Sequence, residues 1–263
     1  MNSKLINKIN EVLNLDVDKQ LVLDLDVNEQ KQIVEYLDFI YKTVNETSKK
    51  KIAETEQIKK LILDNQKKYG DNVVKTLGEV CKIDIGGTYL RKKNEYYENG
   101  NNLWVTIKEL NGGYIYDTKK KITDLGVQNS SVKLFKKNTI LFSLKSNIGK
   151  TAIAGEPLYT NEAIAGIISK NNELLNNKYL YYYLTINDFT KLGSGIIGNG
   201  SLNKKLLKQI KIYIPSLKRQ KEIVKNYEFR DSIIKNVKKN DKMTKEIAEK
   251  YIKMIIKNKR VKI

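Results

Sequence analysis

The sequence predicts an α+β protein: one mixed α/β domain flanked by two long helices that pair as an antiparallel coiled coil. Three observations predict it. First, Gln30-Lys31-Gln32-Ile33-Val34 reappears as Gln220-Lys221-Glu222-Ile223-Val224, and each copy opens a long lysine-rich stretch. An internal repeat dictates architecture, so it is read before any other signal. Second, apolar residues after each copy recur at steps of three and four, the period of one helix face. Third, the segment between the copies is unlike them. It holds the glycine pairs Gly86-Gly87 and Gly112-Gly113 and short alternating apolar runs, which are turn and strand signals.

Residues 1–26 are short apolar groups broken by Asp and Asn, such as Leu21-Val22-Leu23-Asp24-Leu25-Asp26, and read as a small appendage. The first long helix is placed at 27–72. Asn28 offers an N-cap, and Ile33, Leu37, Ile40 and Val44 form the stripe, continued by Ile58, Leu61 and Ile62. Lys49, Lys50, Lys51, Lys59 and Lys60 fall on other faces, and Tyr69-Gly70 supplies a C-terminal stop. The mixed domain follows at 73–215. Strands are expected in Leu103-Trp104-Val105-Thr106-Ile107 and Thr139-Ile140-Leu141-Phe142-Ser143, with one helix at 176–192. Trp104 and the run Tyr179, Tyr181, Tyr182 and Tyr183 are read as core.

The second long helix is placed at 216–263. It starts after Pro215, which cannot sit inside a helix but is favoured before one. Ile223, Tyr227, Ile234 and Val237 carry its stripe, followed by Ile247, Tyr251 and Ile255. Phe39 and Phe229 match at the same offset. Lys60-Leu61-Ile62-Leu63 and Lys253-Met254-Ile255-Ile256 correspond once three residues are inserted in the second copy. Helices several times the mean of about 11–12 residues need their stripes covered. Pairing with each other, or with copies in a partner, covers them.

Charge narrows the partners. The chain has 49 Lys+Arg against 30 Asp+Glu, a net charge of +19. Such an excess favours a polyanion: DNA, RNA or an acidic membrane surface. An AT-rich coding bias would explain Lys chosen over Arg better than it explains the shortage of acids. There is no histidine, which removes the commonest general base and metal ligand. The single cysteine, Cys81, excludes an intrachain disulfide and a cysteine zinc cluster, and reads as a small buried hydrophobe. No metal and no cofactor are expected. A reducing, intracellular (cytoplasmic) setting fits, because no signal-peptide run and no stretch of membrane-spanning length is found.

Four catalytic or nucleotide-binding motifs fail on inspection. Gly149-Lys150-Thr151 lacks the glycine five residues earlier that a phosphate loop needs, since that position is Leu144. Asp18 or Asp26 with Glu29-Gln30-Lys31 loosely resembles a metal-dependent nuclease set, but Glu29 and Lys31 open a helix instead of lying on a strand around a metal. A base-flipping adenine methyltransferase needs a Pro-Pro pair beside an aromatic residue, and the chain has only Pro157 and Pro215. Gly193-Ser194-Gly195-Ile196-Ile197-Gly198 has dinucleotide-motif spacing, but a helix precedes it where a strand is required.

Nucleic-acid contact is a better account of the polar residues. Lys145, Asn147 and Lys150 fall in a strand-to-strand turn, a place from which a domain can reach into a groove. Arg91, Lys92 and Lys93 follow a glycine turn and suit phosphate contact, which positions a protein without reading sequence. Arg91, Lys108, Asn147, Asn199, Ser201 and Asn203 are the candidates for base edges.

The middle segment resembles the target recognition domain of a type I restriction-modification specificity subunit. Its motifs run in the family's order. Leu77-Gly78-Glu79-Val80 leads to Gly86-Gly87-Thr88, then to Trp104-Val105-Thr106-Ile107-Lys108-Glu109-Leu110 and Ile122-Thr123-Asp124-Leu125-Gly126. Thr139-Ile140-Leu141-Phe142-Ser143 and Ile148-Gly149-Lys150-Thr151-Ala152-Ile153 follow. Thr160-Asn161-Glu162-Ala163 stands where the family usually has Thr-Asn-Gln, and Ile210-Lys211-Ile212-Tyr213-Ile214-Pro215-Ser216-Leu217 closes the domain.

The resemblance implies a non-catalytic reader of double-stranded DNA whose helices act as spacers and dock an adenine methyltransferase subunit. An ATP-dependent restriction subunit can join that assembly. It also implies that residues 193–198 approach DNA. A full specificity subunit has two recognition domains and two spacers, whereas this chain has two spacers and one domain. It therefore resembles a half-subunit that restores the pair as a homodimer. The competing readings are an orphan or decoy that captures restriction-modification subunits without specific DNA recognition, and an RNA or membrane-surface binder acting through charge alone.

Overall fold

A computed structural model of the chain describes residues 26–68, 73–88, 93–193 and 201–260, together with Asn7. The chain divides into two compact units, one of residues 1–58 with 228–263 and the other of residues 59–227. Among the described residues no helix is long and apolar enough to cross a membrane.

The helical unit is built from the repeat. α1 (Val27–Ile40) passes through a π-helical stretch, Tyr41–Glu46, into α2 (Thr47–Lys68). Asn28 is not the cap: the helix already runs at Val27, and Gln30 N–H donates to the Asp26 carbonyl at 3.0 Å. The stripe Ile33, Leu37, Ile40 and Val44 is buried. Beyond the π stretch the expected stripe keeps only Ile62, which is half-buried. Ile58 and Leu61 are 39% and 53% exposed, while Thr55 and Lys59 are buried. A π turn takes an extra residue, so the face predicted from a 3.6-residue period rotates away. Tyr69 and Gly70 lie outside the described residues.

The second copy behaves similarly. α8 (Leu217–Arg260) begins at the same 190-residue offset from α1 that separates Gln30 from Gln220. Ile234 is buried and Val237 half-buried, but further on Ala248 is buried while Ile247 and Tyr251 are exposed. Within the helical unit, Tyr36 packs on Tyr251 with ring centroids 4.7 Å apart, and Ser48 Oγ donates to Asp241 Oδ1 at 2.6 Å. One partner's number rises as the other's falls, so the two segments run in opposite directions.

The other unit is a mixed α/β domain with three sheets. β1 (Val73–Thr76) pairs antiparallel with β11 (Lys211–Ile214) and joins the two ends of the domain. The main sheet has five strands: β2 (Cys81–Ile85), β10 (Ile164–Ser169), β7 (Ile140–Ser143), β8 (Thr151–Ala154) and, at its edge, β4 (Tyr114–Ile115). A four-stranded sheet runs β5 (Lys120–Ile122), β3 (Asn102–Val105), β9 (Leu158–Thr160), β6 (Leu134–Phe135). The strand expected at Leu103–Ile107 stops at Val105, because Thr106 and Glu109 form a capping box that starts a 3₁₀ turn.

The main sheet is buried on both faces, which explains its unbroken apolar strands. Ile140, Phe142, Ile153, Ala165 and Ile167 face a tyrosine-rich helix, α5 (Asn177–Ile186). Leu141, Ala152, Ala154 and Ile164 face the other way, with Phe135 and Leu158 of the four-stranded sheet. At Gly166 an added Cβ would collide with the Phe135 ring, so this position has no room for a side chain. α5 is shorter than the expected 176–192: it ends at Ile186, and α6 (Thr190–Gly193) is separate. Its four tyrosines are buried, as is Trp104, and Cys81 is a buried free thiol.

Ile223 and Tyr227, expected to pair helix with helix, lie in the domain core. The Tyr227 ring packs on Tyr182 at 4.8 Å, and its hydroxyl donates to the Lys59 carbonyl at 3.2 Å.

Candidate nucleic-acid interface

The site grows from the turn between β7 and β8. Lys145 and Asn147 are exposed there and Lys150 is half-buried. The backbone is contorted: Ser146 and Asn147 have φ of 46° and 80°, a region that non-glycine residues rarely enter. Ser143, fully buried at the end of β7, staples the turn. Its Oγ donates to the Asn147 carbonyl at 2.6 Å and accepts from Lys150 N–H at 2.9 Å. Residues held in sparse backbone regions persist where their surroundings over-determine them, and such places cluster at functional sites.

Two other segments meet at Leu144. Its N–H donates to the Ala163 carbonyl at 2.8 Å, and its carbonyl accepts from Leu202 N–H at 2.8 Å. The first bond brings in Asn161–Ala163, and the second brings in Ser201 and Asn203. Asn203 is the N-cap of α7 (Lys204–Gln209), where its side-chain oxygen accepts from Leu206 N–H at 2.9 Å. The loop at Gly112 is joined to the base of the turn, since Gly112 N–H donates to the Thr151 carbonyl at 3.0 Å. Lys108 is exposed in the adjoining 3₁₀ turn, and its carbonyl accepts from Asn111 Nδ2 at 3.0 Å.

Arg91, Lys92 and Asn199 lie outside the described residues. The chain leading to Arg91 is placed: Thr88 donates from Oγ1 to Glu162 Oε2 at 2.7 Å, beside Ala163. The preceding Gly87 fits only as glycine, because a Cβ there would run into the Ser131 backbone. Lys93 is engaged elsewhere, with Nζ 5.1 Å from the Tyr96 ring centroid and 3.6 Å from Glu95.

The structure therefore brings Lys145, Asn147, Lys150, Ser201 and Asn203 together around Leu144 and ties the Lys108 loop to the base of the same turn. Sequence reasoning missed Ser143, whose one signal was a hydroxyl closing an apolar strand. It also missed the Asp84 cluster. Lys204 and Lys133 lie 3.2 and 3.8 Å from Asp84. Burial works to raise that carboxyl, but the Lys204 hydrogen bond and the charges of Lys204, Lys133 and Lys82 outweigh it and hold it below its ordinary range. Among the described residues, no group of three or more Cys, Asp or Glu side chains is placed to hold a metal.

Comparison with known proteins places this arrangement. The chain is 33% identical over 186 residues to the type I restriction enzyme MjaIX specificity subunit of Methanocaldococcus jannaschii, a match covering 68% of this chain and 42% of that protein. It is 28% identical over 180 residues to the EcoR124I/EcoR124II specificity subunit of Escherichia coli, covering 65% and 43%. It thus spans under half the length of these two relatives. The crystal structure of the HsdS subunit from Thermoanaerobacter tengcongensis shares the fold, with a TM-score of 0.55 over 97% of this chain and 67% of that one at 18% identity. Residues 69–249 match the type I restriction modification DNA specificity domain, and the chain belongs to that family.

Proposed function

We propose that the chain is a sequence-specific DNA-binding specificity subunit that carries no chemistry of its own and reads one half-site. The observation that supports this reading best is the convergence at Leu144. Segments far apart in sequence deliver cations and amide or hydroxyl groups to one end of the domain, and a stapled turn holds them. In this reading Lys145 and Lys150, with Arg91 and Lys92, neutralise phosphates. Arg91, Lys108, Asn147, Asn199, Ser201 and Asn203 are the candidates to reach base edges in the major groove.

The helices are proposed to pair as an antiparallel coiled coil and to dock an adenine methyltransferase subunit. Ile33, Leu37, Ile40, Val44, Ile234 and Val237 would supply the pairing, with Ile223 and Tyr227 anchoring the second helix to the domain. Phe39 and Phe229, at the repeat offset, are each 64% exposed. Two equivalent aromatic residues left in solvent suit a protein surface that docks on both copies. A second copy of the chain would supply the second recognition domain, and the target would be a split palindrome. An ATP-dependent restriction subunit is a further expected member of the assembly.

A salt titration with matched and scrambled duplexes tests the reading. A specific reader keeps a sequence ratio of at least about 10³ at fixed salt. A charge-only binder loses affinity with salt equally on both duplexes, and that result would sink the proposal. Capture of a methyltransferase subunit without such a ratio would favour the decoy.

A further inference from the structure

We propose that Tyr114 and Tyr116 form a stacking platform for an unpaired nucleobase beside the basic turn. The proposal rests on the DNA-binding reading above and adds a ligand to it. The two tyrosines sit at and just beyond the edge strand β4. Alternation along an extended chain puts both on one face, and Ile115 between them points into the core. Their rings stack, with centroids 5.9 Å apart and planes 23° from parallel, yet remain 40% and 62% exposed. Gly155 forms the floor, since a Cβ there would press on the Tyr116 ring.

The position of the platform follows from strand register. β4 runs parallel to β8 with Tyr114 opposite Ile153. Tyr114 therefore lies one strand over and two residues along, about 8 Å, from Thr151, where the basic turn ends. The approach is held at both glycines: Gly112 N–H bonds the Thr151 carbonyl, and Gly113 N–H donates to the Tyr181 hydroxyl at 2.9 Å.

Charge selects a nucleic acid as occupant. Lys108, Lys119 and Lys120 are exposed along the neighbouring chain. The nearby acids are engaged: Asp117 lies 3.2 Å from Lys121, and Glu109 accepts from the N–H groups of Thr106 and Lys119. Aromatic faces interleaved with lysines hold bases by stacking while the cations neutralise the backbone. Within a paired duplex each base face is covered by its neighbours. The platform therefore takes a base that has left the stack, at a bulge or an opened step.

The test uses the full chain and two fluorescent DNAs. One is a paired duplex containing 2-aminopurine, and the other is the same duplex with the 2-aminopurine as a single extrahelical base. The wild type is expected to prefer the bulged DNA about tenfold and to quench its fluorescence. Tyr114→Leu with Tyr116→Leu should bring that preference to unity with the melting temperature retained, and Tyr116→Trp should keep both preference and quenching.

Equal preference in wild type and the double variant overturns the proposal. So does a double variant that keeps the bulge preference but no longer captures a methyltransferase subunit, which would make the pair a protein contact. If the wild type binds neither DNA, the DNA-binding reading falls with it. If it binds the paired duplex without bulge preference, only the platform falls.

Discussion

Ser143 shows how much one buried hydroxyl can decide. It accepts one backbone bond and donates another across a turn whose φ values are unfavourable. Ser143→Ala removes both and leaves the part-buried Asn147 carbonyl and Lys150 N–H with the longer bond between them at 3.4 Å, at a cost on the order of 1 kcal/mol. The expected result is a lower melting temperature together with weaker DNA binding, measured by thermal melts and fluorescence anisotropy. Unchanged DNA affinity would show that the turn's shape is not used in binding.

Three buried groups make a second prediction at this scale. Burial pushes the Cys81 thiol up to about 12, with Lys170 opposing, and pushes the Tyr179 and Tyr183 hydroxyls above their ordinary value of 10.0. The tyrosines also donate to the Tyr213 and Lys211 carbonyls. The unfolded chain releases these protons first, so their contribution to stability is intact below the unfolded thiol value of 9.0 and shrinks as pH rises towards 12. Urea melts across that window should show stability falling with pH. Cys81 should react with thiol reagents at neutral pH only after unfolding.

At the scale of elements, the start of α8 is tied to the domain by Gln220. This fully buried side chain donates from Nε2 to the Leu174 and Pro215 carbonyls, both at 2.9 Å, and accepts from Asn176 N–H at 2.8 Å. Asn176 is itself the N-cap of α5. Gln220→Ala leaves the buried Pro215 carbonyl and two part-buried backbone groups without this partner and is expected to destabilise the domain by about 1–3 kcal/mol. Chemical denaturation monitored by tyrosine fluorescence would measure the loss, and a shift below about 0.5 kcal/mol would contradict it.

The proposed helix pairing has its own test. Ile234→Asp with Val237→Asp places two charges on a buried or half-buried stripe, so pairing and self-association should both fail. A variant that stays dimeric in sedimentation with unchanged melting would remove pairing at this stripe from the proposal.

At the scale of the whole molecule, the repeat and the single mixed domain suggest a division of labour. In the proposed function, reading belongs to one unit and assembly to the other. The half-subunit reading expects a homodimer on a split palindrome. Sedimentation of the purified chain, alone and with a methyltransferase subunit, should give a two-copy species. Strictly monomeric protein that binds a single half-site as tightly as the palindrome would refute that stoichiometry.

Local and periodic features were legible in the chain itself. The repeat placed both helix starts at one offset, because Asp26 and Ser216 precede copies with the same spacing. An apolar run located β7, and the turn that follows it was visible as Lys145 to Lys150. The failures differ in cause. Periodicity assumes an unbroken helix, so the π stretch at Tyr41–Glu46 carried Ile58 and Leu61 out of their expected face. The repeat and its apolar stripe marked the second helix as a pairing element, yet the packing of Tyr227 against Tyr182 gave its first turns to the domain core. Only tertiary structure could bring Ala163, Leu202 and Thr151 to one turn. Those contacts are backbone hydrogen bonds between distant segments, and such bonds depend on register and leave no side-chain pattern to read.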